Sequence, residues 1–230
     1  MLQVDDVRFR HEGSEFHYDL QVPQGSITAL IGPSGGGKST LLDLVAGFLE
    51  PTSGRIRIEG RDVTGLPPAG RPVTSLFQDH NLFGHLDVAT NVALGIRPSG
   101  RLAPPERATV TAALERLQIG ALAGRRPYEL SGGERQRAAL ARCLVRHRPL
   151  LLLDEPFAAL GPAMRRDFLD LVAQLRTEQG LTVLLVTHQP EDAARIADRL
   201  AVLAEGKIVA AGPRDAILAD PPPVLASYLG

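Results

Sequence analysis

An α/β fold with a mainly parallel, helix-covered core sheet is what this sequence predicts, and three observations predict it. Strand-sized apolar runs alternate with helix-forming stretches from Leu150 to Ala211. A glycine-rich run, Gly32 to Ser39, sits where a strand hands over to a helix. The run Leu150-Leu151-Leu152-Leu153 stops at two carboxylates, Asp154 and Glu155, as buried parallel strands do at their functional ends.

In chain order, strands are predicted at Leu2 to Arg8, Phe16 to Val22 and Ser26 to Ile31, followed by a helix from Ser39 to Phe48. The turn Pro51-Thr52-Ser53-Gly54 precedes a strand from Arg55 to Glu59, and another runs from Val73 to Phe77. Between Pro98 and Pro127 the chain becomes polar, Ala-rich and helical. Pro104-Pro105-Glu106 starts a helix there, and Val110, Leu114 and Leu117 share one apolar face. This stretch reads as a helical subdomain inserted in the sheet. Beyond Leu150 to Leu153 come a helix from Met164 to Gln179, a strand from Thr182 to Val186 and a helix from Glu191 to Ile196. Strands from Leu200 to Ala204 and Lys207 to Ala211 follow, and Asp220-Pro221-Pro222-Pro223 marks an end.

Bulk composition narrows the class without choosing one. At 230 residues and 44% apolar content the chain can bury a full core. A formal charge of -1 shows no basic field of the kind that nucleic acid attracts. A single cysteine, Cys143, excludes an internal disulfide framework and a multi-thiolate metal site, and suits a reducing compartment. The N-terminus lacks a basic region followed by an apolar stretch, so an intracellular protein is expected. Apolar runs reach only strand length, which makes any membrane role peripheral.

The chemistry begins at Gly32-Pro33-Ser34-Gly35-Gly36-Gly37-Lys38-Ser39, which fits G-x-x-x-x-G-K-[ST]. Glycines let the backbone turn its N–H groups onto phosphate oxygens, and the helix that continues through Thr40 adds its positive dipole end. Lys38 is placed to reach the β and γ phosphates and Ser39 to offer a hydroxyl to Mg²⁺. Asp154, ending an apolar strand, is the candidate for holding Mg²⁺ through water. Glu155 is the candidate for orienting or deprotonating an attacking water. A second anion site is predicted at Leu130-Ser131-Gly132-Gly133-Glu134-Arg135-Gln136-Arg137, where Ser131 caps a helix whose first turn carries two glycines.

These three motifs together resemble those of ATP-binding cassette proteins, over essentially the whole chain. The resemblance implies the P-loop ATPase fold of that family, with an antiparallel β subdomain and an inserted α-helical subdomain. It implies one nucleotide-binding domain over residues 1–230, its core and β parts at 1–78 and 150–230 and its helical part at about 79–149, with no appended regulatory domain. It also implies a homodimer, in which each ATP lies between the phosphate loop of one copy and Ser131, Gly132, Gly133 and Glu134 of the other. Gln78 matches the family's glutamine that contacts Mg²⁺ and the water, and His188 the histidine that contacts the γ-phosphate.

Three features depart from the family pattern. His11 stands where an aromatic residue usually stacks on adenine, and Phe9 or Phe16 could take that part. Glu134 replaces the commoner glutamine. Ala158 and Gly161 stand where serine and aspartate are usual, which predicts weaker coupling between the two sites of a dimer.

Within this superfamily, DNA-repair ATPases carry long coiled-coil arms and translation factors carry two cassettes; this chain has neither, so an importer subunit is expected. Its membrane permease would dock on the apolar residues between Gln78 and Val88, at the cytoplasmic face of the bacterial inner membrane, with a periplasmic binding protein engaged indirectly. The wording Arg71-Pro72-Val73, Leu76-Phe77-Gln78-Asp79-His80-Asn81-Leu82-Phe83-Gly84-His85-Leu86, Ala46-Gly47-Phe48-Leu49 and Pro67-Pro68 further resembles the thiamine-importer ATPases of bacteria. Iron, sulfate and polyamine importers are the alternatives.

Overall fold

A computed structural model of the chain describes residues 1–11, 13–77, 82–157 and 160–229, with the side chains of 228 and 229 left aside. These residues form two compact units, one of 1–73, 149–155 and 166–230, the other of 74–148 and 156–165.

The first unit is built on one twisted sheet. Its strands are β1 (Leu2–His11), β2 (Ser14–Val22), β3 (Ile27–Ile31), β4 (Ser53–Ile58) and β5 (Arg61–Asp62). β6 (Val73–Leu76) carries the chain out to the second unit, and β7 (Leu150–Asp154), β8 (Thr182–Val186), β9 (Arg199–Ala204) and β10 (Lys207–Pro213) complete the first. Their order is β5-β4-β1-β2-β10-β9-β3-β8-β7. β3 pairs in parallel with both β8 and β9, and β8 with β7. Every residue of β3 and β8 is buried, which is why both read as continuous apolar runs rather than alternating ones. β1 pairs antiparallel with β2 and β4, so the antiparallel strands that the family resemblance implies form one end of the same sheet.

Helix α1 (Lys38–Ala46) packs Leu41, Leu44 and Val45 into a core shared with Leu30, Leu152, Leu184 and Leu203. Its last turn is held by a buried cation. Arg71 donates from Nη1 to the carbonyls of Leu44 and Val45 at 2.6 and 3.0 Å, from Nε to Leu66 at 2.8 Å and from Nη2 to Thr64 at 2.8 Å. A guanidinium at a helix C-terminus meets both the orphan carbonyls and the negative dipole end.

The second unit contains α2 (Val88–Ile96), α3 (Pro104–Arg116) and α4 (Gly132–Leu144). The Asp87 carboxylate caps α2 by accepting from Thr90 N–H at 2.7 Å. Buried Asn91 accepts from Phe83 N–H at 2.7 Å and donates to the carbonyls of Phe83, Leu86 and Asp87, tying down the segment before the helix. The helix expected to start at Pro104 is α3, and α2, which begins at Val88 ahead of the stretch read as helical, is an additional helix. The docking stretch expected between Gln78 and Val88 overlaps that start. Phe83 is exposed (48%), but Val88 is buried (1%) and belongs to the helix face that packs inward. α5 (Pro162–Gln179), α6 (Pro190–Ile196), α7 (Arg214–Ala219) and α8 (Pro223–Leu229) follow in the remaining sequence.

Candidate functional site

The phosphate loop follows β3 and ends at Gly37, whose φ of +99° few side-chain-bearing residues adopt. A Cβ there would come within 2.6 Å of the Tyr18 hydroxyl and 2.7 Å of the Phe16 ring. Tyr18, fully buried on β2, donates its hydroxyl to the Gly37 carbonyl at 2.8 Å. Burial pushes the Tyr18 hydroxyl above its ordinary value, so it remains a donor. The loop is thus clamped from beneath at its junction with α1. Lys38 donates to the carbonyls of Gly32 and Pro33 at 2.8 and 2.9 Å and is almost wholly buried (5% exposed). Desolvation lowers its pKa, while the charges of Glu155 and Asp154 oppose that shift.

The acidic residues arrive from a neighbouring strand. Asp154 closes β7, and the Ser39 hydroxyl donates to its Oδ1 at 3.2 Å. Desolvation raises the Asp154 pKa, and the nearby Glu155 charge adds to the effect. A hydroxyl and a carboxylate that meet in this way are a hard-oxygen donor set suited to Mg²⁺. Glu155 has left the strand, with φ +42°, and its N–H donates to the Val186 carbonyl at 3.1 Å. This αL turn directs its carboxylate to His188, whose Nδ1 lies 3.3 Å from Glu155 Oε2. His188 is carried by the turn after β8. The Thr187 hydroxyl donates to the buried Asp192 carboxylate at 2.9 Å and accepts from Gln189 N–H at 3.1 Å. Because β3, β7 and β8 are parallel neighbours, their C-terminal ends bring Lys38, Ser39, Asp154, Glu155 and His188 together in the first unit.

The glycine-rich helix start lies in the second unit. Ser131 caps α4 by accepting from Glu134 N–H at 3.3 Å, and Glu134 Oε2 accepts from Ser131 N–H at 2.7 Å. These two bonds form a reciprocal capping box and hold the Glu134 carboxyl below its usual range, the Ser131 N–H contributing most. The Glu134 side chain therefore closes the cap of α4. His11 ends β1 with its ring stacked on Phe9, centroids 6.2 Å apart; Phe9 stands 6.3 Å from Phe16, and Phe16 stacks on Tyr18 at 6.2 Å. This ladder connects the three base-stacking candidates to the residue beneath the phosphate loop. Gln78 and Ala158 fall outside the described residues.

Tyr18, Thr187 and Asp192 are not singled out by sequence. The alternation in His17-Tyr18-Asp19-Leu20 marks Tyr18 as inward-facing, but nothing in it names the Gly37 carbonyl as partner.

A family model described as "ABC transporter" matches residues 16–158. The chain belongs to the ABC transporter family. Similar curated proteins include the "Thiamine import ATP-binding protein ThiQ" of Brucella suis, 52% identical over 230 residues that cover all of this chain and 95% of that protein. The protein of the same name from Cereibacter sphaeroides is 51% identical with both chains fully covered. Among solved structures, an ATP-binding cassette of an ABC transporter in its ADP conformation superposes with TM-score 0.90 at 26% identity, covering 100% of this chain and 98% of that one. A dimeric cassette in a post-hydrolysis state bound to ADP and Pi matches with TM-score 0.80 at 27% identity, covering 93% and 99%. As an ABC transporter protein, this chain is the nucleotide-binding, ATP-hydrolysing kind of subunit, and the α/β fold expected from its sequence is the cassette fold. No helix among the described residues is long and apolar enough to cross a membrane.

Proposed function

We propose that this chain hydrolyses ATP to energise a bacterial importer of thiamine or thiamine pyrophosphate. The reading is carried by end-to-end similarity, at about half identity, to proteins named for thiamine import, joined to Lys38, Ser39, Asp154, Glu155 and His188 gathered at adjacent strand ends. Cargo contact belongs to the permease and the periplasmic binding protein, so no residue of this chain selects thiamine directly.

In this reading Lys38 and the N–H groups from Gly32 to Thr40 hold the phosphates. Ser39, Asp154 and Gln78 would hold Mg²⁺, which supplies charge neutralisation at the β and γ oxygens when bound. Glu155 orients the attacking water and accepts its proton. His188, held at Nδ1 by Glu155, presents its other ring nitrogen to the γ-phosphate. The second copy supplies Ser131, Gly132, Gly133 and Glu134 across a head-to-tail homodimer, placing donors where charge develops. Loss of the γ-phosphate removes the group both copies share, so hydrolysis opens the dimer and that opening drives the permease. His11 is assigned to the adenine face. The single cassette domain, with its core at 1–78 and 150–230 and its helical part at about 79–149, would meet the permease near 78–88, with exposed Phe83 central to it. That meeting takes place on the cytoplasmic face of the inner membrane.

The deciding experiment is isolation of the chain from membranes with its attached permease and binding protein, followed by ligand identification and ATPase assay of the assembled transporter. Thiamine-stimulated hydrolysis is expected. Stimulation by iron, sulfate or a polyamine instead would reassign the cargo.

A further inference from the structure

Gly133, in the first turn of α4, is closely faced by a thioether. A Cβ placed on Gly133 would come within 3.2 Å of Met164 Sδ, while one on Gly132 would meet Leu160 Cδ2 at 3.9 Å. Met164 sits in the first turn of α5 and is 47% exposed. The first N–H groups of an α-helix lack intrahelical acceptors and sit at its positive dipole end, and the thioether lies beside the side-chain position of Gly133 in that same first turn.

We propose that Met164 is an oxidation site, and that its sulfoxide occupies the N-terminus of α4 and slows ATP turnover. The inference rests on the reading that Ser131 and Gly133 bind nucleotide phosphate. The modifying agent is a peroxide. The thioether sulfur attacks one peroxide oxygen, an S–O bond forms as the O–O bond breaks, and the second oxygen leaves as water after taking up a proton. Sulfur loses two electrons and the peroxide gains them. The product carries a strongly accepting oxygen on a flexible side chain beside Gly133, where it competes with phosphate for the helix-terminal N–H groups.

The chain isolates this chemistry well. Its two methionines are Met1 and Met164, and Met1 packs against the core of the first unit. The one thiol, Cys143, is buried and donates to the Ser75 carbonyl at 3.4 Å. Burial raises its pKa, which keeps the reactive thiolate scarce.

The test treats the purified full chain with hydrogen peroxide, maps oxygen addition by peptide mass spectrometry and follows ATPase activity. A roughly tenfold fall is expected, the size of losing one hydrogen bond to a charged group, in step with oxidation of the Met164 peptide. The two methionine sulfoxide reductases should restore the rate, and Met164→Leu should keep its rate in peroxide. Full activity with Met164 oxidised, or equal loss in Met164→Leu, overturns the proposal. Nucleotide-dependent pairing of Glu155→Gln copies separates the two readings. If unoxidised copies pair and oxidised ones pair equally well, this inference alone fails; if unoxidised copies never pair, the shared-site reading fails and this inference with it.

Discussion

His188 Nδ1 lies 3.3 Å from Glu155 Oε2, so two residues from the ends of neighbouring parallel strands act as one unit. Glu155 reaches that position through an αL backbone, φ +42°, pinned by its N–H bond to the Val186 carbonyl on the strand that leads to the histidine. The imidazole can then join the carboxylate on one side to an anionic phosphate on the other.

Glu155→Gln preserves the size of the side chain and its contact with His188 but removes the carboxylate proposed as proton acceptor. Hydrolysis should fall by about 10²–10⁴-fold, with nucleotide binding retained. Single-turnover assays and size-exclusion chromatography with ATP check this; a parental rate would show that Glu155 is not the base.

Tyr18→Phe keeps the aromatic ladder and deletes the hydroxyl beneath the phosphate loop. The Gly37 carbonyl keeps Leu41 N–H at 3.0 Å as its helical partner. A loss of about 1 kcal/mol in folding stability and a roughly fivefold weaker ATP affinity are expected. Calorimetric titration against the parent is the measurement, and unchanged affinity would confine Tyr18 to packing.

Asp154→Asn should trade activity for stability. The raised folded pKa means that this carboxyl contributes stability that is complete below its ordinary value of 3.8 and is lost as pH rises through the folded value. At pH 7 the ionised side chain is therefore a cost to the nucleotide-free fold. The variant should melt higher than the parent in Mg²⁺-free buffer at pH 7, with the gain shrinking toward pH 4, while its Mg-ATP hydrolysis collapses. Thermal melts across that pH range decide the matter.

Arg71→Lys replaces a fork that serves four carbonyls with a single ammonium. A loss of roughly 2–4 kcal/mol is expected because buried carbonyls on α1 and the loop before β6 lose donors. Chemical denaturation gives the number, and a change below about 0.5 kcal/mol, the size of an ordinary surface substitution, would mean that water or the new ammonium satisfies those carbonyls.

Much of the fold is legible because parallel strands buried on both faces must be apolar throughout. Leu150 to Leu153 and Thr182 to Val186 announce themselves for that reason, and the residues at their ends become the candidates for function. Helix α2 escapes a sequence reading because its apolar stretch, Val88 to Ile96, looks the same whether it packs inward or waits for a partner. Its Asp87 cap and the buried Asn91 bonds show their purpose only in three dimensions.

Sequence alone marked the candidate chemistry-bearing residues, since a phosphate loop, a strand-terminal acid pair and a capped glycine helix each need local spacing and nothing more. Tertiary structure decided which groups hold them: Tyr18 under Gly37, Glu155 against His188, Arg71 on the end of α1, Met164 beside Gly133. Those pairings join residues far apart in the chain. Only the closing of the sheet and the packing of helices bring such atoms within bonding distance, and no local pattern encodes that.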